Sequence, residues 1–346
     1  MKAYLTFSQS AQYYECGFSC DNAVVVRVDE ARFFITDSRY TLEAKESSYS
    51  GVEVIESRDF IQSIQGIVNR FKLKEIAFDS QEVNVDFYQK LYAGLEAFKC
   101  SLDAQANFHQ KLRIIKTKEE IELIRQSQKL NKKAFKNFAK YLEKALKDAP
   151  NEQELHYEAI KHLTYKGKYA LSFEPIVGIN ANAAKPHALP SIKCRLYKND
   201  LLLFDAGIKY KRYCSDMTRT ALIKSEINFS KDQKFKDKQR MQIYDIVRKA
   251  QENVIKNARS GMSGKQIDSL AREVIEKNGY GKYFIHSTGH GVGLDIHELP
   301  RISRISDEIV QDGMVFSVEP GIYLPNAFGV RIEDIVVMKN GRAEVL

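Results

Sequence analysis

Apolar positions change period several times along the first hundred or so residues. Residues 22–37 (NAVVVRVDEARFFITD) hold two β-branched and aromatic runs around the polar turn Asp29-Glu30-Ala31, which predicts a hairpin. Phe60, Ile61, Ile64, Ile67, Val68 and Phe71 follow at helical spacing, and KEIAF at 74–78 reads as a short strand. This alternation predicts a small α/β domain over residues 1–114.

The join falls at Ile114 to Thr117, because Thr117 with Glu120 forms a capping box ahead of a long helical pattern. Ile121, Ile124, Phe135, Phe138, Leu142 and Leu146 mark its apolar face, and Asp148-Ala149-Pro150 stops it. Asn151 with Glu154 opens a second helix. Strands are predicted over 201–208 and 213–223, helices over 239–258 and 264–277, and strands again over 314–318 and 330–338. Residues 115–346 thus form an α+β domain in which the order helix, helix, hairpin occurs twice.

Composition adds exclusions. The chain of 346 residues is 44% hydrophobic and 28% charged, an ordinary globular balance. No apolar run approaches the ~18 residues of a membrane helix, so no membrane partner is expected. The opening MKAYLTFSQS lacks the apolar core of a secretory signal, and the cytoplasm is the compartment expected. The net charge of +8 permits acidic partners. The densest basic stretch, KDQKFKDKQR at 231–240, is interrupted by two Asp and reads as a solvated loop, not a nucleic-acid interface. Cys16, Cys20, Cys100, Cys194 and Cys214 have no zinc-site spacing and read as free thiols.

Two predicted hairpins carry chemistry. In LLLFDAGIKYKRYCSDMTRT, Asp205 and Asp216 are equidistant from a turn centred between Tyr210 and Lys211 and are expected to face one another. In MVFSVEPGIYLPNAFGVRIEDIVV, Glu319 and Glu333 are equidistant from Asn326. Opposed carboxylates need a proton or a cation between them. HSTGHGVGLDIHE lies between the hairpins; it sets His290 among glycines and brackets it with His286 and His297. His187 sits in a loop fixed by Pro186 and Pro190, and Arg331 lies two residues from Glu333 as a candidate cross-strand ion pair. Four carboxylates and an imidazole are a hard ligand set that suits Mn²⁺ or Co²⁺ and admits Zn²⁺ or Fe²⁺. Two such ions could activate water and polarise a carbonyl, which is metal-assisted hydrolysis of an amide or ester.

FDAG with SDMTRT, HSTGHGVG with HE, VEPG and RIED stand in an order that resembles the "pita-bread" metallopeptidases of family M24, and the resemblance spans nearly the whole chain. YYECGFSCDNAVVV, FFITDSRYTLEAK and the junction KTKEEIELIR are similar to the creatinase-like N-terminal domain of the Xaa-Pro branch, which includes aminopeptidase P and prolidase. The resemblance implies that Asp205, Asp216, His290, Glu319 and Glu333 are ligands to two divalent ions, Mn²⁺ first, with Asp216 and Glu333 bridging. It implies Glu319 as general base toward a metal-bridging hydroxide, and His187 and His297 at the scissile amide. It places His286 and Arg331 at the substrate pocket, Arg331 being counted with the catalytic group and His286 with the substrate-binding one. A homodimer is implied as well. The chain departs from the pattern at Asn180 and Arg212, each standing where relatives usually carry Gly.

The expected function is release of the residue that precedes proline in a peptide, by an Xaa-Pro aminopeptidase. The alternative is an Xaa-Pro dipeptidase. A creatinase-like hydrolase and a non-catalytic binding module are disfavoured by the complete ligand set.

Overall fold

Strands Ala23–Val28 and Ala31–Thr36 pair antiparallel across the turn at Asp29, as the pattern requires. They occupy the middle of a six-stranded mixed sheet that also contains Ala3–Thr6, Val52–Glu56, Glu75–Asp79 and Ser101–Gln105. Alternate residues serve opposite faces. Val24, Val26, Phe33 and Ile35 pack with Ile64, Ile67, Val68 and Leu91 of helices Phe60–Phe71 and Val85–Glu96. Val25 and Phe34 turn the other way, toward Cys16 and Ala44. With both faces covered, the strands can be apolar without interruption.

The computed structural model describes residues 2–346. This sheet belongs to one unit, Met1–Arg113; a second unit comprises Ile114–Leu346.

In the second unit, Thr117 and Glu120 form the predicted capping box of helix Lys118–Ala145, and Asn151 with Glu154 caps Glu152–Leu163. These helices cover one side of the three-stranded sheet Met217–Leu222, Leu201–Ala206 and Ile176–Ile179, where Phe135, Phe138 and Phe204 meet. Helices Lys238–Asn257 and Gly264–Lys277 cover a five-stranded sheet built around Val315–Val318 and Asp334–Lys339. Each half of this unit is therefore a helix pair on an antiparallel sheet.

The two halves meet edge to edge. The Glu333 amide donates to the Thr218 carbonyl at 3.1 Å, and the Arg331 amide to the Thr220 hydroxyl at 3.1 Å. The strands that carry the candidate ligands are thereby locked together at their ends.

The basic stretch is less uniform than expected. Lys238 onward is helix, and Lys231 forms an ion pair with the buried carboxylate of Asp334. All five cysteines are free. No helix among the described residues is long and apolar enough to cross a membrane.

Candidate active site

The first hairpin does not follow the predicted register. Tyr210 pairs with Tyr213 and Lys209 with Cys214, so the turn is centred between Lys211 and Arg212, both at positive φ. That one-residue displacement moves each partner by two. Asp205 pairs with Thr218, not with Asp216. A two-residue shift keeps alternate side chains on their original face, which is why Asp216 still reaches the site.

The ladder also breaks beyond the Ala206–Met217 pair, at Gly207 on one strand and at Ser215 and Asp216 on the other. A Cβ on Gly207 would lie 2.0 Å from the Ser215 carbonyl oxygen, so only glycine permits this crossing. The carbonyls freed by the break are bonded by one face of the long helix. Asn131 donates to Ala206, Ser127 to Ile208 and Gln128 to Asp216, at 2.7, 2.8 and 2.8 Å.

The second hairpin keeps its predicted register through a similar break. Val318 pairs with Asp334 and Gly321 with Arg331, and the two residue numbers add to the same total in both pairs. Glu319 and Glu333 fall at matching places in the gap, and Asn326 at the turn has φ 59°.

All nine residues singled out from the sequence line one cavity of about 650 Å³: Asp205, Asp216, His290, Glu319 and Glu333, with His187, His286, His297 and Arg331. Asp216, His290 and Glu333 each offer a ligand atom within 4.8 Å of the others. Glu319 Oε1 stands 3.2 Å from His290 Nε2, and Asp216 Oδ2 stands 3.8 Å from it. His290 Nδ1 donates to the Gly291 carbonyl at 3.1 Å. With the Nδ1 proton held by that bond, loss of the Nε2 proton would leave its lone pair facing the carboxylates and able to bind a cation.

These residues fit a divalent cation. Asp205 Oδ1, Asp216 Oδ1 and Glu333 Oε1 are buried without a hydrogen-bond partner. Buried polar atoms of a folded protein are rarely left so. Burial first, then the neighbouring charges of Glu333 and Asp205, push the Asp216 carboxyl well above its usual range. Burial and the charges of Glu319 and Asp205 do the same to Glu333. Burial also opposes ionisation of Glu319, yet the hydrogen bond and charge of His290 hold its carboxyl at about 2.

The remaining ligand oxygens are tied down. Thr218 donates its hydroxyl to Glu333 Oε2 at 2.7 Å and accepts from Arg331 Nε at 3.0 Å. Arg331 does not pair with Glu333. It binds Asp205 Oδ2 at 2.6 Å, and also donates to the Tyr323 hydroxyl at 2.7 Å and the Pro186 carbonyl at 3.2 Å. His286 Nδ1 donates to the Ser287 carbonyl, so its Nε2 accepts from the Tyr323 hydroxyl at 2.9 Å. Burial holds His286 below the usual histidine value, in keeping with this neutral form.

His187 and His297 are exposed at the cavity, and the His297 ring meets that of His290 edge-on at 4.3 Å. Burial of part of the ring, then the charge of His290, keeps His297 below its usual value. Sequence reasoning missed three contributors. Glu152, fully buried, accepts from the amides of Ile179 and Ser191 and from Asn182 Nδ2, at 2.7, 2.8 and 2.7 Å, and so shapes the loop that bears His187. Asp268 holds Arg272 and the Thr288 amide, which fixes the approach to His290. Arg301 lines the cavity from a strand position opposite His290. An acidic residue in a first helical turn and a lone Arg in a strand carry no distinctive sequence signal.

Residues 122–340 match the family model of metallopeptidase family M24, and residues 1–115 match the creatinase/prolidase N-terminal domain. The chain is 35% identical over 323 residues to an Xaa-Pro dipeptidase of Pyrococcus furiosus, covering 93% of this chain and 86% of that protein. It is 34% identical over 334 residues to the uncharacterized peptidase YqhT of Bacillus subtilis, covering 96% and 90%. The crystal structure of an X-Pro aminopeptidase from Thermotoga maritima superposes with a TM-score of 0.86 at 31% identity, covering 100% of this chain and 95% of that one. The fold is accordingly a creatinase-like N-terminal domain followed by a pita-bread α+β domain, and the chain belongs to metallopeptidase family M24.

Proposed function

We propose that this enzyme is an Xaa-Pro exopeptidase that hydrolyses the bond preceding proline, acting on peptides as an aminopeptidase. The observation that carries the reading is the convergence of three orphaned carboxylate oxygens and the His290 Nε2 on one cavity that also presents His187 and His297. Asp205, Asp216, His290, Glu319 and Glu333 would hold two divalent cations, Mn²⁺ first. When bound, such cations lower the pKa of water and polarise a carbonyl. Glu319 takes a proton from the attacking water and returns it to the proline nitrogen, which must be protonated before it can leave. His187 and His297 donate to the oxygen on which charge develops. Arg331 and Thr218 keep the Asp205 and Glu333 carboxylates in place.

A bond to proline has no N–H, so recognition relies on shape. Phe173, Pro175, Ile176 and Ile296 give the cavity an apolar wall, and it opens past Leu189, which is 82% exposed. That open side leaves room for peptide beyond proline.

A second reading, an Xaa-Pro dipeptidase, is favoured by Arg301. Its guanidinium lines the same cavity, and neither a hydrogen bond nor an ion pair engages it among the described residues. It is suited to the free carboxylate of an Xaa-Pro dipeptide. A homodimer in the cytoplasm completes the proposal.

The test is hydrolysis of Xaa-Pro-Xaa tripeptides and Xaa-Pro dipeptides side by side, with Mn²⁺ and with chelator, using Asp216→Ala as control. Tripeptide cleavage that chelator and the variant abolish is expected. Cleavage confined to dipeptides, and lost in Arg301→Ala, would establish the second reading. Turnover of neither, with metal bound, would refute both.

A further inference from the structure

A second cavity of about 670 Å³ lies beside the long helix Lys118–Ala145, and its charge is opposite to that of the peptide site. Lys132, Lys133, Lys136, Lys140 and Arg219 line it against a single carboxylate, Glu143. That carboxylate already accepts from the Ile227 amide at 2.9 Å. Lys132 donates to the Leu346 carbonyl at 2.6 Å. Lys133, Lys136 and Lys140 are exposed and have no hydrogen-bond or ion-pair partner among the described residues. Lys132, Lys136 and Lys140 are spaced four apart, so they share one face of the helix and repel one another.

Below the lysines the surface is apolar and aromatic. Phe135, Met217, Ile227 and Phe229 contribute to it. The half-buried Phe229 ring stacks on Phe138 at 6.4 Å and meets Phe135 edge-on at 5.4 Å, which fixes its orientation. Asn137 adds an amide with no partner of its own among the described residues. An inorganic anion would answer the lysines but leave the aromatic floor in water. A flat ring joined to phosphates answers both, and the volume is that of a typical small-molecule site.

We propose that this cleft binds a nucleotide-like ligand of the nucleoside diphosphate class. The ring lies on Phe229, with Asn137 at its polar edge, and the phosphates lie among Lys133, Lys136 and Lys140. The cleft is separate from the peptide cavity, yet Arg219 touches both regions. It lines the cleft and donates to the carbonyls of Thr218 and Glu333. Because Arg219 supports a candidate metal ligand, the test leaves it untouched and uses Lys136 and Lys140, which lie outside the peptide site.

The probe is ADP bearing an N-methylanthraniloyl fluorophore, titrated into chelator-treated full-length protein and read by fluorescence anisotropy. Chelation leaves the peptide cavity acidic and unable to take up phosphate through a metal. Saturable binding is expected, weakening as salt rises from roughly 50 to 200 mM. Lys136→Glu/Lys140→Glu should weaken it at least ~10-fold, since two charged contacts are reversed. Hydrolysis of Xaa-Pro peptides should stay within about twofold in that variant, since neither lysine lines the peptide cavity and exposed charges have small effects. If the reversal does not fold, Lys136→Gln/Lys140→Gln takes its place. Absence of saturable binding, or binding unchanged in the variant, would overturn the proposal. Pyrophosphate competing as well as ADP would overturn the role given to Phe229. A short single-stranded RNA binding far more tightly than ADP would replace a small ligand with a nucleic acid.

Discussion

Arg331 and Asp205, 126 positions apart in the chain, form a buried ion pair at 2.6 Å in which the guanidinium also contacts Thr218 and Tyr323. One cation thereby links the first hairpin, the second hairpin and the tyrosine that orients His286. Removing one partner of a buried pair costs about 3–5 kcal/mol, because the remaining charge is left without compensation. Arg331→Ala is expected to lose stability on that scale, read by urea denaturation, and to lower kcat/KM. A stability change under about 1 kcal/mol would show that the pair is not what holds the hairpins together.

Cation binding should depend on pH in a definite direction. Burial raises Asp205 against the opposing charge of Arg331, and burial with the neighbouring carboxylates raises Asp216 and Glu333 further, so in chelated protein the folded state keeps protons that the unfolded state has lost. Stability then falls as pH rises above the unfolded carboxylate range near 4. Glu319 has the opposite sign, but its contribution is lost only as pH falls toward about 2. The gain in Tm on adding Mn²⁺ is therefore expected to be larger at pH 8 than at pH 5. Calorimetric scans with and without Mn²⁺ check this; a gain that shrinks with rising pH would contradict the linkage.

Glu152 offers a test remote from the ligands. Its carboxylate satisfies three donors around the His187 loop. Glu152→Ala leaves those donors buried, at a cost of about 2 kcal/mol or more. Displacement of His187 by ~1 Å would reduce kcat/KM by up to ~100-fold. Mn²⁺ affinity should be unchanged, since Glu152 touches no ligand, and titration calorimetry distinguishes the two effects.

Gly291 is constrained by space and not by its dihedral angles. A Cβ there would lie 2.1 Å from the Leu299 carbonyl oxygen and 2.3 Å from its carbon. The neighbouring backbone must move to admit alanine, and such overpacking costs about 1–3 kcal/mol. Gly291→Ala should also weaken Mn²⁺ binding, because the Gly291 carbonyl orients the His290 ring. A variant with normal Mn²⁺ affinity would refute that link.

Lys116 and Glu298 form an ion pair at 2.6 Å with both side chains 1% exposed. Glu298 adjoins His297 and accepts from the Asp295 amide at 3.2 Å, so it braces the loop that leads to that histidine. Lys116→Met alone should destabilise by about 3 kcal/mol, whereas Lys116→Met/Glu298→Leu should recover much of it. A double-mutant cycle in urea measures the difference. A loss in the double variant equal to the sum of the two single losses would mean that the pair is not coupled.

Local rules account for what the sequence by itself determined. Capping boxes at Thr117, Asn151 and Ser263 set helix starts because the cap side chain accepts from the amide three residues on, while the side chain there accepts from the cap's own amide. The second hairpin was readable because its register is unbroken across the gap at Glu319 and Glu333. The departure at Asn180 was also readable: asparagine, which tolerates positive φ better than most residues, occupies φ 45° there. The first hairpin was not readable to the residue. Its turn shifted by one because Lys211 and Arg212, neither a usual positive-φ residue, form it, and because the long helix bonds the carbonyls at the break. The partner of Arg331 was likewise a tertiary outcome. Two carboxylates of the ligand set were within reach in principle, and only the docking of the two halves decided that Asp205 takes the guanidinium while Glu333 is held by Thr218. Residue types and spacing specify which side chains reach a site, whereas the partner of each orphaned oxygen depends on long-range packing that no local pattern encodes.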